Sequence, residues 1–114
     1  MYTPSRYYLD CHIAGFKYWD GLKTIRDLTE GTTVKLIREP SNPYDPEAVA
    51  IYFGKMKIGY IPRDKNSEIS QFLCFGHGDI FEAMVSSVFP ENPLEQRFRI
   101  IITIKDARVS EEEL

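Results

Sequence analysis

Aromatic and charged side chains alternate in three short segments of this 114-residue chain. The segments read Gly15-Phe-Lys-Tyr-Trp-Asp20, Pro40-Ser-Asn-Pro-Tyr-Asp-Pro46 and Lys57-Ile-Gly-Tyr-Ile-Pro-Arg63. Aromatic faces stack on bases while Lys and Arg contact phosphates, so this combination is typical of single-strand nucleic-acid binding. The prolines stiffen the middle segment, which therefore loses little entropy when it holds a ligand. A structural alternative stays open, because aromatic rings at strand ends often belong to the core.

Motifs of common enzyme classes are not visible in the sequence. It lacks the glycine-rich phosphate loop of ATPases, the dinucleotide-binding Gly-x-Gly-x-x-Gly and the Gly-x-Ser-x-Gly of hydrolases. Cys74 and His77 have the spacing of a zinc-ligand pair, but Cys11 and His12 are strand neighbours that point to opposite faces. We therefore expect a non-enzymatic protein without metal or cofactor, and two reduced, buried thiols.

The charges are unevenly distributed along the chain. The net charge is −3, from 14 basic and 17 acidic residues, which does not fit a general polyanion binder. Residues 6–63 hold nine bases and seven acids, a net charge of +2, whereas residues 110–114 hold three acids and no base. Any anion-binding surface should therefore lie in the first half. We predict a single domain over residues 1–109 and an acidic tail at 110–114.

Membrane and export signals are also missing from the pattern. No run approaches the ~20 apolar residues that a membrane span needs. The segment Met1–Asp10 has no apolar stretch of the kind found in signal peptides. We expect an intracellular protein, cytoplasmic or, in a eukaryote, nuclear, with no membrane partner.

Apolar alternation predicts a fold that is mainly β with some α. The predicted strands cover residues 8–14, 33–38, 48–53, 56–61, 80–89 and 98–104. Their spacing suggests a small OB-like or SH3-like barrel of about six strands. Barrels of this size fill their interior with side chains, so a ligand should bind on an outer face or in a groove between loops.

Two helical segments complete the prediction. One main helix is expected over about 66–75, with Ile69, Phe72 and Leu73 on one face and Gly76 ending it. A shorter helical segment is expected within 21–30, where Leu22, Ile25 and Leu28 follow threefold spacing. Asp45 before Pro46 also fits the N-cap of a helix, which is a structural alternative to a binding role.

The three aromatic and charged segments together resemble the HIRAN domain. The matching marks are Gly15-Phe-Lys-Tyr-Trp, then Val34-x-Leu36-x-Arg38-Glu-Pro40-x-Asn42-Pro-Tyr-Asp45-x-x-Ala48-Val, then Ile58-Gly-Tyr-Ile-Pro62. Order and spacing agree, and the resemblance runs from about Tyr8 to about Thr103. This domain occurs at the N-terminus of certain SWI/SNF-type DNA-repair helicases and alone in short microbial proteins.

The resemblance implies an OB-like barrel that holds the 3′ end of single-stranded DNA in repair or processing. Tyr18 and Tyr44 would stack on the terminal bases, and Asp45 would accept a hydrogen bond from the free 3′-hydroxyl. Lys17 and Arg63 would contact phosphates. The other expected site residues are Asn42, which would hold the loop or touch a base edge, Tyr60 in the Ile58–Pro62 motif, and Phe89 as a late aromatic wall. Arg38 and Glu39 are interpreted as framework.

Two positions depart from the family pattern. Lys17 stands at a family arginine position and loses planar, bidentate contact with phosphate. Glu47 stands where the family often has Asn and adds negative charge beside the loop. The ATPase and RING modules of the helicase members have no counterpart in these residues, so a helicase or nuclease would be a separate partner. The alternative function is a protein–protein interaction module, in which an open barrel edge adds a peptide strand without binding DNA.

Overall fold

The computed structural model describes residues 5–106, so the predicted domain limit at 109 and the acidic tail at 110–114 lie outside the described residues. Within this range the six strands are β1 (Ser5–His12), β2 (Thr33–Arg38), β3 (Val49–Phe53), β4 (Met56–Tyr60), β5 (Phe81–Val88) and β6 (Phe98–Lys105). Two α-helices, α1 (Gly21–Thr24) and α2 (Ser67–Cys74), and four short 3-10 helices connect them.

All six strands form one antiparallel sheet in the order β1-β6-β5-β2-β3-β4. The sheet curls until its two ends meet at Ala14 and Tyr60, whose N–H groups each donate to the other's carbonyl oxygen at 2.9 Å. This contact requires Gly59, because a Cβ there would lie 2.4 Å from Ile13 Cγ2 and its φ is +152°. The curled sheet with one main helix confirms the predicted OB-like fold class.

The barrel interior is filled by one apolar core. Cys11 and Ile13 point inward from the β1 segment as the alternation predicts, while Leu9 is only partly buried. Phe16 and Phe98 pack with ring centroids 4.9 Å apart and close one end of the core. A filled interior leaves only the outer surface and the loops for a ligand.

Helix α2 matches the predicted main helix. Ile69 is fully buried, and the Gly76 N–H donates to the Leu73 carbonyl at 3.1 Å with a left-handed φ of +85°. Phe72 lies at the edge of the helix face, where its ring meets Phe81 edge-on at 5.7 Å. The predicted end of the helix is therefore correct to within two residues.

The predicted helical segment within 21–30 is much shorter in the structure. Only Gly21–Thr24 is α-helical. Leu28 is buried and Ile25 packs against the core, as the threefold spacing predicts, whereas Leu22 is 52% exposed. Gly21 lies against the Phe16 ring, where a Cβ would be 2.7 Å from the nearest ring carbon. Close packing at this glycine, together with the burial of Leu28, positions the turn.

The two thiols differ, and the prediction that both are buried is wrong for Cys74. Cys11 is buried, and burial raises the pKa of its thiol to about 11. Cys74 is exposed at the last residue of α2. Within residues 5–106, no group of three or more His, Cys, Asp or Glu side chains is placed to hold a metal ion. In the same range, no helix has the length and apolarity to cross a membrane.

Candidate nucleic-acid interface

A groove of about 260 Å³ lies on the outer surface, beside the contact that closes the sheet. Its floor is apolar and its walls are aromatic or polar. Five of the eight predicted site residues line it: Asn42, Tyr44, Asp45, Tyr60 and Arg63. The remaining lining residues are Ala14, Trp19, Ala48, Ile61 and Asn66.

The proline-rich loop between β2 and β3 is organised by Asn42. The Asn42 side-chain oxygen accepts hydrogen bonds from the backbone N–H groups of Tyr44, at 2.9 Å, and Asp45, at 3.1 Å. This Asx-type turn satisfies the loop backbone locally. The Tyr44 side chain consequently projects from the loop and is 83% exposed. Asn42 therefore holds the loop backbone in the free protein, and its contact with a base edge stays a prediction.

Asp45 stands beside Tyr44 with its carboxylate held in place. Oδ1 accepts from the Glu47 N–H at 2.9 Å and Oδ2 accepts from the Asn66 amide at 2.8 Å. The hydrogen bond from Asn66, and then that from the Glu47 backbone, lower the pKa of Asp45 from its ordinary value of 3.8. The carboxyl group is therefore an ionised acceptor near neutral pH.

The interpretation of Asp45 as a helix N-cap is wrong. Residues 46–48 form a turn and not a helix, and β3 begins at Val49. The Ala48 N–H donates to the Asp45 carbonyl at 3.1 Å, and the Ala48 carbonyl then accepts from the Glu39 N–H at 2.9 Å. The Ala48 carbonyl therefore extends the hydrogen bonding between β2 and β3, and the chain makes one turn at this point and does not continue as a helix.

Arg63 contributes a cation at the open side of the groove. Its terminal NH2 nitrogen donates to the Tyr44 carbonyl oxygen at 2.6 Å, and its Nε lies 3.8 Å from Asp45 Oδ2. The Arg63 side chain is still 75% exposed. Its remaining N–H donors can therefore reach a phosphate without breaking the contact with the loop.

Behind the groove, Tyr60 belongs to a polar cluster with Glu39 and Lys57. The Tyr60 hydroxyl donates to Glu39 Oε1 at 2.8 Å and accepts from Lys57 Nζ at 3.1 Å, while Lys57 and Glu39 form an ion pair at 2.7 Å. Burial alone would raise the pKa of Glu39, but the hydrogen bonds from Lys57, Tyr60 and Asn42 bring it below its ordinary value. Glu39 is a framework residue in this geometry, consistent with its interpretation from the sequence.

The other three predicted site residues lie apart from the groove lining. We call Lys17, Tyr18 and Phe89, together with Glu95, the rim group. Lys17 Nζ is paired with Glu95 Oε1 at 3.0 Å, and it also lies 5.2 Å from the Tyr18 ring centroid. Tyr18 is 72% exposed, and Phe89 borders a second depression that Glu95 also lines. The rim group adjoins the groove through Trp19, which follows Tyr18 in the chain and lines the groove itself.

Sequence reasoning missed Trp19, Asn66 and Lys57. Trp19 belongs to the segment Gly15-Phe-Lys-Tyr-Trp-Asp20, and its position next to Tyr18 is the sequence signal for it. Asn66 is 3% exposed and reaches Asp45 across 21 positions in the chain, which no local pattern reveals. Lys57 lies under Trp19 with its Nζ 3.9 Å from the ring centroid.

The electrostatics of the site are balanced. Each of its three cations faces a carboxylate: Lys57 with Glu39, Arg63 with Asp45 and Lys17 with Glu95. The surface is therefore not a broad basic patch, and a ligand would bind through stacking and directed hydrogen bonds more than through net charge.

A curled six-stranded sheet with a loop-lined aromatic groove defines a small OB-like domain. The chain belongs to the HIRAN family, since the HIRAN domain model matches residues 7–105. A crystal structure of a Lactobacillus plantarum protein is similar, with a TM-score of 0.74 and 22% identity over 90% of this chain and 96% of that chain. The HIRAN domain of human HLTF is similar with a TM-score of 0.63 and 19% identity, over 90% of this chain and 82% of that one. Among curated protein sequences, none matches significantly.

Proposed function

We propose that this HIRAN domain binds single-stranded DNA and that its groove holds the terminal nucleotide with a free 3′-hydroxyl. The HIRAN family is generally DNA-binding, which supports the broader part of the proposal. The observation that carries the finer part is the pairing of an exposed ring, Tyr44, with an ionised carboxylate, Asp45, at one groove. A helicase or nuclease that acts on the bound end is the proposed partner.

Asp45 supports selectivity for a strand end because of its charge. A carboxylate accepts a hydrogen bond from a terminal hydroxyl but repels the phosphate of a continuing strand. Its two oxygens offer about four lone-pair positions, and the Glu47 N–H and the Asn66 amide occupy two of them. The Asp45 side chain is 16% exposed, so an acceptor position remains accessible from the groove.

Tyr44 and Tyr18 support base stacking because both rings are largely exposed. Stacking contributes roughly 1–3 kcal/mol per base, which exceeds a typical screened surface ion pair. Arg63 has free donors for one phosphate at the groove. A domain with balanced charge can therefore still bind a short strand, with a modest dependence on salt because few phosphates are contacted.

The test is a titration of labelled short single strands followed by fluorescence anisotropy. The 3′-hydroxyl strand should bind more tightly than the same strand with a 3′-phosphate, and blocking the 5′ end should have little effect. Tyr44→Ala should weaken binding by about 1–3 kcal/mol. Tyr7→Ala is the matched control, because it removes a 61% exposed tyrosine from β1, away from the groove lining. Equal affinity for both 3′ ends would refute the role of Asp45.

Peptide binding is a second candidate, favoured by a gap in the sheet. Strands β2 and β5 pair only at Thr33–Met84 and Val34–Ala83 and then diverge around a cleft of about 480 Å³. Lys35, Lys105 and Glu82 line this cleft beside exposed Ile37 and Met84, which fits an extended segment with apolar and charged residues added as a strand. This function predicts no oligonucleotide binding at low salt, so the same titration separates the two candidates.

A further inference from the structure

We infer that Lys57, held by Glu39, is a positioning residue that fixes Trp19 and Tyr60 as two walls of the groove. In this arrangement Trp19 offers a ligand only the ring surface that Lys57 leaves open. The inference rests on the proposed function of the groove as the ligand site. It gives a specific role to two residues, Lys57 and Glu39, that do not themselves line the groove.

The geometry around Lys57 is that of a cation packed between two rings. Its Nζ lies 3.9 Å from the Trp19 centroid and 5.1 Å from the Tyr60 centroid, both within the range of about 6 Å over which cation–π attraction operates. Trp19 and Tyr60 themselves meet edge to face at 5.7 Å with an interplanar angle of 70°. The lysine therefore restricts the orientation of both rings from one side.

Glu39 fixes the lysine and connects it to the proline-rich loop. The Glu39 carboxylate pairs with Lys57 at 2.7 Å, and its Oε1 also accepts from the Tyr60 hydroxyl and the Asn42 amide. The Lys57 and Glu39 side chains are only 18% and 22% exposed, so solvent screens this pair less than an ordinary surface ion pair. Since Asn42 also orders the backbone of Tyr44 and Asp45, one cluster joins the rings on both sides of the groove.

The consequence is that the width of the groove is set before a ligand arrives. Without the cation, the indole of Trp19 loses the contact that covers one of its faces. Glu39 loses its ion pair with the ammonium group and retains only the hydrogen bonds from the Tyr60 hydroxyl and the Asn42 amide. Trp19 can then turn, and a base entering the groove must order it again, which lowers affinity. Lys57 affects binding in this way without touching the ligand.

Trp19 makes the inference measurable because it is the single tryptophan of the chain. In the free protein, Lys57→Met should raise acrylamide quenching of Trp19 fluorescence about twofold, and it should weaken binding of a 3′-hydroxyl strand by about tenfold, within the range of a desolvated cation–π contact. Lys57→Arg retains a stacking cation and should largely restore both properties. Lys55→Met, an exposed lysine in the neighbouring turn, is the matched control and should change neither.

Two outcomes separate this inference from the proposed function. Unchanged quenching in Lys57→Met would overturn the positioning role even if oligonucleotides bind. Altered quenching in a protein that binds no oligonucleotide would retain the positioning role and refute DNA binding. If thermal unfolding shows that Lys57→Met is not folded, Glu39→Gln decides, because it keeps a side-chain oxygen for Tyr60 and Asn42. Increased quenching in Glu39→Gln supports the inference, and unchanged quenching overturns it.

Discussion

The groove and the rim group carry the same kinds of side chain but are built differently. In the groove, Asn42, Asp45 and Arg63 all make hydrogen bonds with backbone groups of neighbouring residues, and Asp45 is also bound by the buried Asn66 amide. In the rim group, Lys17 is held by one ion pair whose two side chains are 44% and 42% exposed.

This difference separates a preorganised site from an adaptable one. Groups already fixed in the free protein lose little conformational entropy on binding, whereas exposed side chains must be ordered by the ligand. Substitutions in the groove should therefore have larger effects than equivalent substitutions in the rim group.

The largest effect should come from Asp45→Ala, which removes the acceptor of two hydrogen bonds and leaves the buried Asn66 amide without this partner. Loss of hydrogen bonds to a charged group should weaken binding of a 3′-hydroxyl strand by about 1.5–3 kcal/mol and abolish its preference over a 3′-phosphate. Glu47→Ala, a carboxylate two residues away whose side chain accepts from Ser67, should keep the preference. Anisotropy titrations with both strands measure this, and a preference retained in Asp45→Ala would show that the groove does not select the end.

A smaller effect is expected for Tyr18→Ala. Its ring is 72% exposed and lies 5.2 Å from the Lys17 ammonium group, so a ligand must order it. Stacking on it should contribute about 1 kcal/mol, at the low end of the range per base. Tyr44→Ala is the direct comparison and should be the more damaging of the two. A larger loss in Tyr18→Ala would reverse the ranking of the two regions.

A gain in affinity is expected for Glu95→Gln. The Glu95 carboxylate pairs with Lys17 at 3.0 Å, and under the proposed function it competes with a phosphate for this ammonium group. Removing an exposed competing charge should raise affinity by at most about fivefold. The slope of log affinity against log salt concentration should become steeper by up to the amount expected for about one additional phosphate contact. Glu91→Gln, a glutamate in the preceding loop, is the control. Titrations at several salt concentrations measure both quantities, and a loss of affinity in Glu95→Gln would mean that Lys17 does not contact phosphate.

The smallest effect is expected from pH between 5 and 8. The pKa of Asp45 is lowered from its ordinary value of 3.8, so the carboxyl group is already ionised at pH 5 and loses its charge only as pH falls through the lowered native pKa. The contribution of Asp45 to affinity should therefore be constant between pH 5 and pH 8. Titrations at both limits test this, and a marked loss at pH 5 would indicate that another titrating group controls the site.

The sequence could predict the part of the site that is built by residues close to one another in the chain. Asn42, Tyr44 and Asp45 lie within four positions, and a side chain that hydrogen-bonds two or three residues along the chain is a local feature. Their roles toward DNA came from the family resemblance and stay predictions. The fold class followed from alternation and turn residues, which are also local.

The remainder depended on contacts between distant parts of the chain. Glu95 neutralises Lys17 from 78 positions away, and Trp19 joins the groove because β4 brings Lys57 beneath it. Cys74 illustrates the same limit in the fold, since an apolar neighbourhood in sequence did not place its thiol in the core. Packing of this kind overrides local pattern and cannot be derived from spacing alone.

The two hydrogen bonds that join Ala14 to Tyr60 place the groove directly on the seam of the barrel, because both residues line it. A molecule bound there spans the line along which the sheet would open. A bound ligand should therefore stabilise the closed sheet. We expect it to raise the midpoint of thermal denaturation and to slow amide exchange most strongly at these two positions.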